Sequence, residues 1–352
     1  LLAVNDQYLN TVKARLNAAV YSDTDDTLIG LLKERLFLMT QKYAGKDVFN
    51  ELLQWAYVED KEYDMALVQA FALDKRNAEQ GERVVQILQM ALDAEQYSVV
   101  ANGADYVMRK GKQGAYFYLA QQLFLTSKYR EIQRGLVYDK NEIRSLTLVY
   151  RRALSEKIRD DAQIVLYEEL ARLYAFHLHE PDSALLLVDE VKTKYRLTPV
   201  VSGEIQILEA DIQLSMGNIF DATLLFAAVE RSLSSNPIGA EAKLRKSEMA
   251  FYQCDFDWAL GQVDVLKAST SKFIANDAAR LSILITENRL DDSVEIPLCL
   301  YAKGCLAVKQ YMFDIAYKYF DSIIDGFPVE SVRDDALFAK ANLLKRQAKY
   351  SN

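Results

Sequence analysis

Hydrophobic and small residues along this chain recur in a short phrase. An aromatic, apolar or Pro residue is followed three positions later by a small one, with apolar residues four and seven positions further on. The copies are Tyr63/Ala66/Ala70/Leu73, Tyr97/Val100/Ala104/Val107, Pro181/Ala184/Val188/Val191, Ile219/Ala222/Phe226/Val229, Phe256/Ala259/Val263/Leu266 and Phe313/Ala316/Phe320/Ile323. The first two copies are offset by 34 residues at every position. A period of this length predicts a stacked array of helix hairpins.

The spacing of the later copies predicts where this array departs from regularity. The small residues Ala184, Ala222, Ala259 and Ala316 are 38, 37 and 57 residues apart. The longest gap predicts an extra helix at about 273–287, because apolar residues there follow a helical period. The predicted parts are an N-terminal helical pair (1–45), two repeats (46–109), a degenerate helical region (110–165), further repeats (166–270), the extra helix with a polar loop (271–296), and a final repeat with half of another (297–352).

Composition supports a helical fold. Apolar residues make up 51% of the 352 positions, whereas only 13 Gly and 5 Pro are present. So few turn-forming residues argue against a protein of many strands, and Ala-, Leu-, Glu- and Lys-rich stretches favour helix. The predicted fold is therefore all-α, a superhelical solenoid of helix-turn-helix repeats.

Charge and hydropathy narrow the classes of partner. A net charge of −8 disfavours nucleic acid, whose phosphates require a Lys- and Arg-rich face. No apolar run approaches the length of a membrane span. The chain begins at Leu1 and its last phrase breaks off at Tyr350, so we expect the native protein to extend beyond both ends.

The residues that could act in catalysis or bind a metal do not form an active-site pattern. His177 and His179 are two positions apart, so they point in different directions on a helix and are not expected to share a metal. The three cysteines, Cys254, Cys299 and Cys305, lack paired close spacing and predict no disulfide framework. No phosphate loop, nucleophile elbow or dinucleotide motif is found. The sequence therefore predicts a protein that is not an enzyme and that needs no cofactor.

Residues 297–330 carry a resemblance to the tetratricopeptide repeat (TPR) superfamily. Gly304 occupies the close-contact position of the first helix, Ala316, Phe320 and Ile323 follow in the second, and Pro328 closes the unit. The segment from Phe327-Pro328 to 333–338 is also similar to repeat junctions in TPR proteins of the bacterial envelope, including lipoproteins. The resemblance implies a protein-binding scaffold, with a location in the bacterial envelope or periplasm. It leaves a cytoplasmic location open.

In TPR-like arrays the first helices of successive hairpins line a concave face. Aligning the copies places 24 positions there, of which seven are acidic and none is basic. They predict an acidic and apolar groove that binds a basic or mixed peptide or helix, although Glu82, Glu204 and Glu241 are equally explained by the preference for acids in a first helical turn. The predicted partner-binding residues are Trp55, Glu169, Leu173, Phe176, Ile207, Asp211, Leu244, Glu248, Phe251 and Tyr301.

The predicted function is a non-enzymatic interaction scaffold within a multi-protein assembly. The alternative is a regulatory or accessory TPR module of a larger enzyme or signalling protein. The partner, the biological process and the oligomeric state do not follow from the residues.

Overall fold

The computed structural model describes residues 6–25, 27–134, 139–156, 162–267, 271–289 and 295–346. The chain forms two compact units, residues 1–134 and residues 135–352, and each is described by itself. Within the described ranges the regular structure is helical and no strand occurs. The predicted all-α class is confirmed.

The described residues of the first unit form seven α-helices, which pack against their neighbours along the chain. Their bounds are α1 Leu9–Tyr21, α2 Leu28–Lys42, α3 Asp47–Glu59, α4 Tyr63–Asn77, α5 Glu82–Asp93, α6 Tyr97–Met108 and α7 Phe117–Arg134. One apolar core runs through the unit from Ile29 to Leu123. The hairpins α3/α4 and α5/α6 are the first two predicted repeats.

The second unit contains eleven α-helices in its described residues. Their bounds are α8 Lys140–Leu154, α9 Ala162–Arg172, α10 Pro181–Lys194, α11 Pro199–Ser215, α12 Ile219–Ser232, α13 Pro237–Tyr252, α14 Phe256–Leu266, α15 Lys272–Glu287, α16 Ile296–Lys309, α17 Phe313–Gly326 and α18 Val332–Arg346. Helix α15 is the extra helix expected in the longest gap. The predicted place of Tyr350 lies outside the described residues.

The repeated small residues mark the points where helices touch. Ala66, Ala184, Ala222, Ala259 and Ala316 are all fully buried. Gly304 also marks a close contact, because a Cβ at that position would lie 2.6 Å from the ring of Phe320 on α17. The predicted array of repeated helix hairpins is thereby confirmed, and the phrase specifies helix packing.

A buried carboxylate joins the two repeats of the first unit. The side chain of Asp74, near the end of α4, is fully buried. It accepts hydrogen bonds of 2.6 Å from the Gly81 amide and 2.6 Å from the Tyr106 hydroxyl, and it pairs with Lys110. Burial alone would raise the pKa of Asp74, but these three donors together lower it. Such a satisfied network is expected to stabilise the junction of the two hairpins.

The second unit contains a disulfide, which corrects the prediction that the three cysteines form no disulfide framework. Cys254, in the turn after α13, is bonded to Cys299 in the first turn of α16, with Cα atoms 5.3 Å apart. The two are 45 residues apart, so close spacing gives no sign of the pair. Of the three cysteines only Cys305 is free, and burial raises its pKa to about 12.

The second unit also makes a contact between hairpins that are not neighbours in sequence. Helix α9 continues as a π-helical segment, Leu173–Leu178, which ends at His179 in a left-handed conformation. The ring of Tyr311, in the turn between α16 and α17, lies 5.1 Å from the His179 ring and 6.0 Å from the Phe176 ring. In an open array each repeat contacts only its neighbours. The second unit therefore curves, so that the hairpin α16/α17 contacts the hairpin α9/α10.

Candidate functional site: a chamber in the second unit

A cavity with a volume of about 890 Å³ lies among α13, α15, α16 and α18 of the second unit. We call it the chamber. Its lining includes Leu244 and Glu248 of α13, Ile274 of α15 and Tyr301 of α16. A second cavity of about 450 Å³ adjoins it, since the two share lining residues on α16 and α18. A volume of this size is typical of ligand sites.

Two exposed aromatic rings stand at the edge of the chamber. Phe273 at the start of α15 is 84% exposed and Phe338 on α18 is 67% exposed, and both belong to the lining. Large aromatic side chains dominate the energetics of protein interfaces when a partner covers them. Their position beside a cavity gives the chamber an apolar rim from two separate helices.

On the wall formed by α13, one arginine forms ion pairs with two glutamates. Arg245 lies 3.7 Å from Glu241 and 3.6 Å from Glu248, at one helical turn from each. Burial alone would lower the pKa of Arg245, but Asp211, Glu248 and Glu241 together raise it above its ordinary value. This cation is therefore committed to the carboxylates around it.

Two partly buried residues of the lining, Tyr301 and Asp335, have pKa values that burial raises. Burial is the largest cause of the raised pKa of Tyr301, with Cys305 and Asp335 adding to it. Burial likewise raises the pKa of Asp335, against the hydrogen bond it accepts from Asn288 at 3.3 Å. Glu287 and Asp334 raise the pKa of Asp335 further.

The predicted groove residues separate into two sets. Leu244, Glu248 and Tyr301 line the chamber, and Asp211 acts electrostatically on its wall through Arg245. Four others are buried in the core, because their helices pack closely: Leu173, Ile207, Phe251 and Glu169. Glu169 accepts a hydrogen bond of 2.7 Å from the Tyr150 hydroxyl. Phe176 is partly buried beside Tyr311.

Trp55 is partly buried against the core of the first unit, and so lies on a different unit from the chamber. The groove prediction therefore places only part of its residues around one cavity.

The lining of the chamber carries charges of both signs. Its lining contains the carboxylates Glu241, Glu248, Asp277 and Asp335, and the cations Arg245, Arg280 and Lys309. The alignment missed Arg280 because it belongs to the inserted helix α15, and missed Arg245 and Lys309 because they flank the aligned positions. The surface is mixed, with a small acidic excess.

In the described residues no cluster of three or more His, Cys, Asp or Glu is placed to hold a metal ion. None of the helices described is both long enough and apolar enough to cross a membrane.

Comparisons with known proteins give similarities to solved structures. The chain is similar to a tetratricopeptide repeat protein from Parabacteroides merdae ATCC 43184, with 15% identity and a TM-score of 0.43 over 75% of this chain and 99% of that one. It is also similar to a structure of Naa15/Naa10 bound to HypK-THB, with 15% identity and a TM-score of 0.35 over 98% of this chain and 56% of that one. No family model and no curated protein sequence matches.

Proposed function

We propose that this protein is a non-enzymatic scaffold of a multi-protein assembly, and that the chamber is where it binds a segment of a protein partner. The observation that carries the proposal is the pair of exposed rings, Phe273 and Phe338, beside a cavity of about 890 Å³. A monomer rarely exposes large apolar side chains at one place without an interaction that covers them. Hairpins held by fully buried contacts provide the rigid frame that such a site requires.

The chemistry of the walls favours a peptide or helix of mixed character as the partner segment. Apolar side chains such as Leu244 and Ile274 alternate with charged groups around the cavity. An amphipathic segment satisfies both kinds of surface at once. The small acidic excess of the lining supports a basic over an acidic segment.

We further propose that the protein works in an oxidising compartment, such as the bacterial envelope. The Cys254–Cys299 disulfide supports this location, because disulfides persist in secreted and periplasmic proteins and are rare in the reducing cytosol. The similarity of residues 327–338 to envelope TPR junctions agrees with it. Alkylation of the protein from intact cells, followed by mass spectrometry, tests it: free thiols at both cysteines would contradict the location.

A quantitative pull-down tests the scaffold function. The tagged full chain is incubated with an extract of the native membrane fraction, as wild type and as the chamber variant Phe273→Ala/Phe338→Ala. Loss of two aromatic anchors is expected to cost about 2 kcal/mol or more, or at least about tenfold in recovery of the partner.

A matched variant separates the chamber from apolar surface in general. Phe220→Ala/Leu224→Ala removes side chains that are 72% and 53% exposed on α12 and that do not line the chamber. We expect this control to retain the partner as the wild type does. Equal recovery by both variants, or no partner specific to the wild type, contradicts the proposal.

A further inference from the structure

The second cavity, of about 450 Å³, contains a polar group whose hydrogen-bonding capacity the described residues leave unused. Tyr252, the last residue of α13, lines this cavity and is only 6% exposed. Its hydroxyl forms no hydrogen bond with a described residue and remains accessible. Burial raises the pKa of Tyr252 well above its ordinary value, so the hydroxyl stays protonated and can donate. An oxygen atom of a molecule in the cavity can accept this hydrogen bond.

The side chains around this hydroxyl are mostly apolar. Phe320 of α17 and Leu343 of α18 are buried and line the cavity, and the partly buried Val308 of α16 completes this apolar part. The thiol of Cys305 also lines the cavity and is uncharged, since burial raises its pKa to about 12. The volume is within the range of about 300 to 1,000 Å³ that is typical of small-molecule sites. The cavity therefore suits a small molecule with an apolar body.

The exposed part of the lining is polar and carries a positive charge. Lys309 of α16 and Asn342 of α18 both line the cavity and are exposed. Lys309 forms no ion pair with a described residue. Among the described residues that line this cavity none is Asp or Glu, whereas four carboxylates line the chamber. An ammonium and an amide are both hydrogen-bond donors, so this end of the cavity favours a carboxylate.

We propose that the second cavity is a separate site that binds a small organic acid with an apolar body. The carboxylate lies at Lys309 and Asn342, the apolar body packs against Phe320 and Leu343, and an oxygen at the far end accepts the hydrogen bond of Tyr252. The volume, half that of the chamber, suits a free acid and not a peptide segment. The site does not depend on the partner proposed for the chamber.

Calorimetry and ligand-observed NMR with the full chain test this chemistry. The probe is para-hydroxyphenylpropanoate, which has a carboxylate, an aromatic body and an oxygen at the far end. We expect a dissociation constant of about 1 mM or lower. The uncharged amide of the probe is expected to bind about tenfold more weakly, and phenylpropanoate, without the far oxygen, about threefold or more. Absence of binding, or equal affinity for the acid and its amide, overturns the proposal.

Two variants locate the two ends of the probe. On Lys309→Gln we expect the acid and its amide to bind with affinities that differ by less than about threefold, and on Tyr252→Phe the two acids to do the same. Lys303→Gln is the charge-matched control, since Lys303 is exposed on the same helix and does not line the cavity. It is expected to preserve both differences. Undiminished differences on the first two variants overturn the proposal.

The stability of Tyr252→Phe gives an independent measurement. Because the hydroxyl has no partner within the described residues, this variant is expected to unfold at the same midpoint as the wild type or a higher one. A clear fall in the midpoint overturns the assigned role, since the hydroxyl would then support the fold.

Two further comparisons separate this site from the chamber and from peptide binding. Phe273→Ala/Phe338→Ala is expected to bind the probe as the wild type does, because neither residue lines the second cavity. Failure of the pull-down would thus leave the acid site intact. A short peptide that ends in tyrosine is expected to bind no better than the probe. Much tighter binding of the peptide would assign the cavity to a chain end and overturn the proposal.

Discussion

Removal of the Asp74 carboxylate is predicted to destabilise the first unit strongly. Asp74→Ala leaves the Gly81 amide, the Tyr106 hydroxyl and the Lys110 ammonium without their shared acceptor, in a place where the Asp74 side chain is fully buried. Breaking a buried charged pair by removing one partner costs about 3 to 5 kcal/mol. With a urea dependence of about 2 kcal/mol per molar, this lowers the unfolding midpoint by about 2 M.

Because each unit contains one tryptophan, unfolding of the first unit can be measured separately. Trp55 belongs to the first unit and Trp258 to the second, so fluorescence of the full chain carrying Trp258→Phe reports on the first. Asp105→Ala is the matched control, since Asp105 also pairs with a cation, Arg109 at 2.7 Å, but is 51% exposed. An exposed pair contributes less than about 1 kcal/mol. A midpoint for Asp74→Ala that equals that of Asp105→Ala refutes the assigned role.

The same carboxylate gives a pH dependence of known sign. The pKa of Asp74 in the folded state is lower than its ordinary 3.8. The contribution of Asp74 to the free energy of unfolding is therefore fully present above its pKa in the unfolded chain. It is lost as the pH falls through the lower pKa of the folded state. We expect the free energy of unfolding of the wild type to decrease more steeply below about pH 4 than that of Asp74→Asn, and parallel curves would contradict this.

Three further predictions concern the second unit. Gly304→Ala is expected to lower its free energy of unfolding by about 1 to 3 kcal/mol, because the new Cβ meets Phe320 at 2.6 Å, whereas Gly261→Ala on α14, with open space around it, is neutral or stabilising in the same denaturation assay. Replacing both Cys254 and Cys299 by Ser is expected to destabilise the unit by up to about 4 kcal/mol from the loop of 45 residues that the bond closes, and a reductant should reproduce the effect on the wild type alone. Tyr311→Ala is expected to speed amide hydrogen exchange in Leu173–Leu178 by loss of the ring contacts, without a large change in the global unfolding midpoint; unchanged exchange would show that these contacts do not restrain the segment.

The repeat phrase predicts the architecture because it records contacts that are local to each hairpin. Ala316 and Phe320 lie on one face of α17, and Gly304 meets that face from the preceding helix, so their spacing in sequence reflects their contact in space. The extra helix α15 was equally predictable, since its apolar residues keep a helical period within one continuous segment. The helices Phe117–Arg134 and Lys140–Leu154 lie within residues 110–165, which were predicted to be helical.

Features that depend on contacts between residues far apart in the sequence were not predicted. The Cys254–Cys299 bond closes 45 residues, and the contact of Tyr311 with Phe176 joins hairpins much further apart. Neither pair has a local pattern. The chamber was not predicted, for a related reason. The inserted helix α15 contributes Phe273 and Arg280 to its lining, whereas an alignment of regular repeats assigns that face to other residues.

Site-specific photo-crosslinking in living cells shows whether a partner contacts the chamber. A benzophenone amino acid is placed at Phe338 in the rim of the chamber and, in a second strain, at Phe220 on α12, which is similarly exposed. We expect a discrete crosslinked partner from position 338 and none from position 220. Crosslinks of equal yield from both positions, or none from position 338, would contradict the claim that the chamber binds the partner.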